Sequence, residues 1–167
     1  MNIEEEKQIY DCYEVETDLG LILLYYNEDG IYKLILPSEV DGNRIKSNIR
    51  NYKFPWPDLE NELQVFCQGQ KIRNTYPLVT KNYSKWTKKV LQVVGNIPYG
   101  ETLSYKQVAE QLGKPAAARA VGQALSCNRT PILIPCHRVV GQKGDLVGFG
   151  PGLLWKQRLL ELERKVK

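Results

Sequence analysis

Ser104-Tyr105-Lys106-Gln107-Val108-Ala109-Glu110-Gln111-Leu112-Gly113-Lys114-Pro115-Ala116-Ala117-Ala118-Arg119-Ala120-Val121-Gly122-Gln123-Ala124-Leu125 reads as two short helices joined by a tight turn. Ser104 followed three residues later by Gln107 has the spacing of a capping box, which starts the first helix. Val108, Ala109 and Leu112 supply its apolar face, and Gly113 stops it. Pro115 suits the first turn of the next helix, where its missing N–H costs nothing. The pair has helix-turn-helix dimensions. The second helix is thin, because Ala116, Ala117, Ala118, Ala120, Gly122 and Ala124 leave Arg119 as its one long cationic side chain. Two readings fit. Alanine is a good helix former and permits close helix packing; a thin helix with one probing arginine also suits a nucleic-acid groove.

Upstream, Tyr83 to Gly95 places Trp86, Val90, Leu91 and Val94 on one helical face, and Ile97-Pro98-Tyr99-Gly100 breaks it. Downstream, Asn128 can end the second helix of the pair, and a last amphipathic helix covers Leu153 to about Val166. The first half is β-rich. Tyr10 to Glu16, Leu19 to Tyr26 and Ile31 to Leu36 are short aliphatic and aromatic runs, with Asp29-Gly30 as a tight-turn pair. Residues 38–57 read as a loop, and a helix covers Pro57 to Cys67. Pro77 and Thr80-Lys81-Asn82 mark a boundary. The expected fold is therefore α+β, with a small β-rich domain over residues 1–79 and a helical domain over residues 80–167.

The hydrophobic fraction of 43% and charged fraction of 25% are those of a globular protein. No apolar run approaches the roughly 20 residues of a membrane span. The acidic start Met1-Asn2-Ile3-Glu4-Glu5-Glu6 lacks the layout of a signal peptide, so the expected location is cytoplasmic. Cys12, Cys67, Cys127 and Cys136 form no CxxC pair, and with one histidine in the chain no zinc site is expected. Residues 1–79 carry 8 Lys+Arg against 14 Asp+Glu, and residues 80–167 carry 15 against 5. That split points to a polyanionic partner for the basic half, or to an ordinary lysine-rich surface.

The single histidine, His137, follows a cysteine in Ile134-Pro135-Cys136-His137-Arg138-Val139-Val140. A thiol is a strong nucleophile as its thiolate, which a neighbouring imidazole favours; a protonated His137 would stabilise it. Pro131 and Pro135 frame Ile132, Leu133 and Ile134, which reads as a stiff extended segment delivering Cys136 to a set position. Gly141, Gly144, Gly148, Gly150 and Gly152 then crowd a short stretch, as a loop or a close backbone approach to a ligand requires. Glu163 on the last helix is a carboxylate that would orient His137 if the two meet.

From Ile97 to Glu163 the chain resembles the O6-alkylguanine-DNA alkyltransferases. The resemblance is carried by Ile97-Pro98-Tyr99-Gly100-Glu101-Thr102, Ser104-Tyr105, Arg119-Ala120-Val121-Gly122, Asn128, Ile134-Pro135-Cys136-His137-Arg138-Val139-Val140 and Gly148-Phe149-Gly150. It implies an RNase H-like first domain and a winged-helix-like second one. It implies repair by irreversible, stoichiometric transfer of an alkyl group from O6-alkylguanine, and from O4-alkylthymine, to Cys136. His137 would relay the thiol proton through a water and Glu163 would orient it. Tyr105 would donate to the leaving guanine, and Asn128 would brace the thiol turn. Arg119 would fill the stack left by the extruded base. Ala117, Ala118, Ala120, Gly122 and Ser104 would accompany it on the DNA side. The backbone of Cys136 and Val139, the ring of Phe149 and the amide near Gly150 would read the flipped base. No cofactor and no metal are implied. The partner would be duplex DNA holding the lesion, met by a monomer, with no membrane involved.

The physical logic agrees. The alkyl carbon lies inside the duplex, so the base must leave the stack to reach a thiolate. Minor-groove binding with kinking lowers the cost of that extrusion. Two positions depart from many relatives: Phe149 stands where tyrosine is common, and Gly150 where some have serine. Without a hydroxyl at Gly150, a looser fit to bulky O6 groups is expected. Three rivals remain: a lesion-sensing protein of the same fold, a helix-turn-helix regulator with a structural Cys136, and a cysteine hydrolase. The sensors lack the acceptor cysteine. The hydrolase needs a turn at Cys136-His137, because neighbours on a strand point apart.

Overall fold

The computed structural model describes residues 10–37, 54–73 and 75–164. Three strands, β1 (Asp11–Thr17), β2 (Gly20–Asn27) and β3 (Gly30–Ile35), form an antiparallel meander in the order β1-β2-β3. The pairing runs Thr17 against Gly20 and Asn27 against Gly30, so each hairpin loop has two residues. The second turn is Glu28-Asp29, one residue earlier than the expected pair, because Asn27 Oδ1 accepts from the Asp29 N–H at 3.0 Å. Gly30 is required by a close approach: a Cβ there would sit 2.5 Å from the Pro77 carbonyl oxygen. The expected loop at residues 38–57 lies outside the described residues except for its last four.

Helix α1 (Pro57–Cys67) turns Leu59, Leu63 and Phe66 onto the sheet. Helix α2 (Lys85–Gly95) begins two residues later than its periodicity suggests, because Ser84 caps it and accepts from the Thr87 N–H at 3.0 Å. A two-residue strand β4 (Leu103–Ser104) precedes α3 (Tyr105–Gln111), where both halves of the expected capping box are present. Gly113, at φ +68°, ends it with the Lys114 N–H returning to the Ala109 carbonyl.

Helix α4 spans Ala118–Ser126, so Pro115 is not in its first turn. Pro115 instead occupies a turn closed by the Ala117 N–H on the Lys114 carbonyl at 2.8 Å, which suits its fixed φ equally well. The Trp86 indole donates to the Ala120 carbonyl at 3.1 Å and pins α4 to α2. Strand β5 (Val139–Val140) pairs in parallel with β4. Helix α5 (Leu153–Arg164) closes the fold; its expected last residues lie outside the described ones. The class is α+β, a small sheet followed by helices with a helix-turn-helix at α3–α4.

The segment 129–135 is not extended. The Ile134 N–H bonds to the Thr130 carbonyl at 2.9 Å, and Ile132 takes φ +71°. That region disfavours a β-branched residue and costs on the order of 1–3 kcal/mol. Burial holds it there: Ile132, Leu133 and Leu159 belong to the core built by the sheet and α1. A second core joins α2, α3 and α4 to Ile134, Cys136 and Val139. The segment before Cys136 is thus clamped between two cores, the first of which draws on both halves of the chain.

Ser104→Ala should lower unfolding stability by about 1 kcal/mol through loss of the α3 cap, read as a lower urea midpoint with an unchanged slope.

Candidate active site

Cys136, His137 and Arg138 form one 3-10 turn, all three buried. Consecutive side chains there do not diverge as on a strand, so the turn that a Cys-His dyad would need is present. Yet the imidazole is engaged elsewhere. His137 Nε2 lies 2.8 Å from Glu163 Oε1. Arg138 donates to the same carboxylate through Nε and Nη2 at 2.8–3.1 Å, and its Nη1 reaches the Ile97 carbonyl at 2.6 Å. The Gly100 N–H adds a bond to Glu163 Oε2 at 2.9 Å.

Burial would raise the Glu163 carboxyl, but the bonds from His137 and Arg138 outweigh it and hold it at about 2. Burial pushes His137 the other way, below its ordinary value, against the pull of Glu163. The resting pair is therefore a carboxylate and a neutral imidazole with its proton on Nε2. Burial, with a smaller contribution from Arg138, keeps the resting imidazole uncharged, so a protonated His137 beside a thiolate would arise only once it has taken a proton. His137 Nδ1 is buried and has no protein hydrogen-bond partner.

The Cys136 thiol is pushed up by burial, partly offset by the Asn128 amide, by Lys156 and by the N–H groups of Cys136 and His137. Asn128 Nδ2 sits 3.1 Å from Sγ and 3.0 Å from the Ile134 carbonyl, while its Oδ1 accepts from the Thr130 N–H. The resting group is a thiol whose surroundings are arranged to receive charge.

Cys136 lies at the wall of a cavity of about 730 Å³. Tyr105, Gly122, Asn128, Phe149 and Gly150 also line it, together with Pro131. The Phe149 ring meets His137 edge-on at 6.4 Å. Gly150 has open space where a Cβ would stand. The Tyr105 hydroxyl donates to the Val147 carbonyl at 3.0 Å. Arg119 projects from the start of α4 and is exposed, with Ala117, Ala118 and Ala120 half-buried beside it.

Two residues expected at the DNA or the base have structural duties of their own. Ser104 is 8% exposed and its oxygen serves the Gln107 N–H, so its side chain is a cap, not a DNA-facing group. Val139 is wholly buried behind Cys136 in the second core, and its N–H returns to the Cys136 carbonyl. Only its remaining backbone is left for a base.

Two charged residues escaped the sequence reading. Arg138 was quoted within a motif without a role, although its place beside His137 let it reach the same carboxylate. Lys156 is fully buried on α5, seven residues before Glu163 and hence on the same face. Burial pushes it down to about 8, against the raising effect of Cys136. Its spacing from Glu163 was the available signal, hidden because a lysine on an amphipathic helix is expected outside.

A family model described as "6-O-methylguanine DNA methyltransferase, DNA binding domain" matches residues 85–165. The chain is 37% identical over 153 residues to the constitutive methylated-DNA–protein-cysteine methyltransferase of Bacillus subtilis, covering 89% of this chain and 92% of that one. It is 37% identical to a methylated-DNA–protein-cysteine methyltransferase of Methanosarcina barkeri, over 89% and 94% of the two chains. The structure of Mycobacterium tuberculosis O6-methylguanine methyltransferase matches with a TM-score of 0.77 at 29% identity, over 94% of each chain. The complex of Mycobacterium tuberculosis OGT with DNA matches at 0.73 and 31% identity, over 93% and 92%.

The buried pair gives stability a pH dependence with a definite sign. An unfolded histidine binds a proton below about pH 6.5 that the native His137 resists, so stability should fall from pH 7 to pH 5. Glu163 adds to this lower down, because its native pKa of about 2 is below its unfolded one. Its contribution is present above about pH 4.3 and is lost as the pH falls through 2. Urea midpoints at pH 7 and pH 5 should differ less in His137→Gln than in the unaltered protein; an equal difference would show that His137 titrates normally.

Proposed function

The chain belongs to the methylated-DNA–protein-cysteine methyltransferase family, and on that premise we propose that Cys136 is the residue that takes the alkyl group. The activity is DNA repair by direct alkyl transfer to the protein itself. The observation that carries the assignment to Cys136 is its place: a thiol braced by Asn128 at the wall of a cavity, next to His137 and Glu163. We read the lesion as O6-alkylguanine in duplex DNA and the acting species as a monomer.

In this reading α4 enters the minor groove, and its half-buried alanines let the backbone come close. Arg119, exposed and at the tip of the helix, fills the gap in the stack while the base enters the cavity. A water carries the Cys136 proton to His137 Nδ1, the ring atom that no protein group occupies. Glu163 accepts from Nε2 and stabilises the imidazolium that results. The thiolate attacks the alkyl carbon in line, the carbon–O6 bond breaks, and its electron pair stays with guanine. Tyr105 meets that charge with its hydroxyl proton. The products are S-alkylated Cys136 and restored guanine. A thioether is not readily hydrolysed, so each molecule acts once.

The cysteine-hydrolase alternative has the turn it needs but not the dyad. Among the described residues the side-chain partner of the thiol is Asn128, while His137 Nε2 is spent on Glu163.

Incubation with a duplex containing O6-methylguanine should add one methyl mass per molecule, mapped to Cys136; absence of the increment from every cysteine would sink the proposal. Arg119→Ala should slow repair in duplex by at least about tenfold while sparing reaction with free O6-benzylguanine. Equal losses would show that Arg119 does not assist extrusion. Gly150→Ser, which the open space admits, should lower the rate for benzyl relative to methyl adducts; an unchanged ratio would show that Gly150 does not set the fit.

A further inference from the structure

Lys156 is fully buried, and no carboxylate pairs with it among the described residues. Its ammonium donates to the Val147 carbonyl at 2.6 Å and approaches the Gly148 carbonyl at 3.3 Å. The Tyr105 hydroxyl is directed at the same two oxygens, at 3.0 and 3.4 Å. The ammonium lies 5.8 Å from the centre of the Tyr105 ring. A lysine on α5 and a tyrosine on α3 thus converge on one pair of carbonyls in the loop before Phe149.

That convergence has a consequence for the reaction. A phenol has one proton to donate. In the free protein the Tyr105 proton is spent on the loop, and serving the guanine requires it to leave. The loop must nevertheless stay in place, since it carries Phe149 against His137 and Gly150 at the cavity wall. A carbonyl oxygen has two lone pairs and accepts two donors at once. The ammonium bond is charge-assisted and stronger than that of a neutral phenol, so the phenol is the partner that yields.

We propose that Lys156 is a positioning residue: it holds the Val147–Gly150 loop by its carbonyls, so that Tyr105 can turn its proton to the leaving base without the cavity wall coming loose. The proposal rests on the reading of Tyr105 as the donor to guanine. It differs from a direct effect of the ammonium on the Cys136 thiolate, which would act whether or not residue 105 carries a hydroxyl.

The test is a double-mutant cycle in single-turnover methyl transfer from a saturating O6-methylguanine duplex, read by intact mass. Lys156→Met should lower the limiting rate about tenfold, with the Kd for the duplex within about twofold of the unaltered protein. In a Tyr105→Phe background the same change should cost at least about threefold more than it does in the unaltered protein, because neither donor is then left to hold the loop carbonyls. Lys156→Arg, which keeps a buried cationic donor, should recover to within about threefold of the unaltered rate. An unchanged rate in Lys156→Met, an equal loss in both backgrounds, or an arginine variant as slow as the methionine one would each overturn the proposal. An unaltered rate in Tyr105→Phe alone would instead remove the reading of Tyr105 on which it rests.

Discussion

The site hangs on one buried carboxylate. Glu163 is 1% exposed, and an ion in that position must be surrounded by donors or be neutralised. It is met by His137 from the 3-10 turn, by Arg138 through both Nε and Nη2, and by the Gly100 N–H from the break after α2. Two stretches distant in sequence, the turn at 136–138 and the break at 97–100, are therefore fixed to α5 by one group. Arg138 extends the tie to the Ile97 carbonyl and lies over the Tyr99 ring at 5.5 Å. Burial, aided by the arginine that balances the carboxylate, keeps His137 below its ordinary value and uncharged at rest.

A second constraint sets where the thiol stands. Ile132 is held in the left-handed region between two cores, and the turn it makes presents Asn128 to both the Ile134 carbonyl and Cys136 Sγ. Strain of this kind persists only where the surroundings over-determine it. Here they do so by burying Ile132 and Leu133 against the sheet, α1 and Leu159. The Leu34 N–H bonds to the Arg129 carbonyl, and the Arg129 guanidinium lies over the Tyr32 ring at 4.7 Å. The β-rich half thereby anchors the segment that positions Cys136 and His137.

Much of the frame was legible from local pattern. Ser104 and Gln107 announced the capping box, the periodicity of Val90, Leu91 and Val94 announced α2, and the short apolar runs announced the meander. The errors share a cause. Pro115 and the Pro131–Pro135 frame were read from proline's fixed φ alone, which is as compatible with a turn as with a helix start or an extended run. Which of these forms depends on hydrogen bonds between residues three or four apart, and those are selected by packing. Ser104 was expected on the DNA side because of its place in a motif, yet the same oxygen was needed by its own helix.

The amino-acid sequence by itself determined which residues to examine, since one cysteine next to the only histidine, an alanine-thin helix with one arginine, and a charge split between halves are all local or additive properties. The tertiary structure alone decided the protonation of that pair. Whether His137 is charged depends on the balance between its burial, Glu163 at a separation of 26 residues, and Arg138 on the far side of the carboxylate. Lys156 likewise became visible only in three dimensions: a buried ammonium facing carbonyls from another loop is a matter of distance and desolvation, and neither is written in the order of residues.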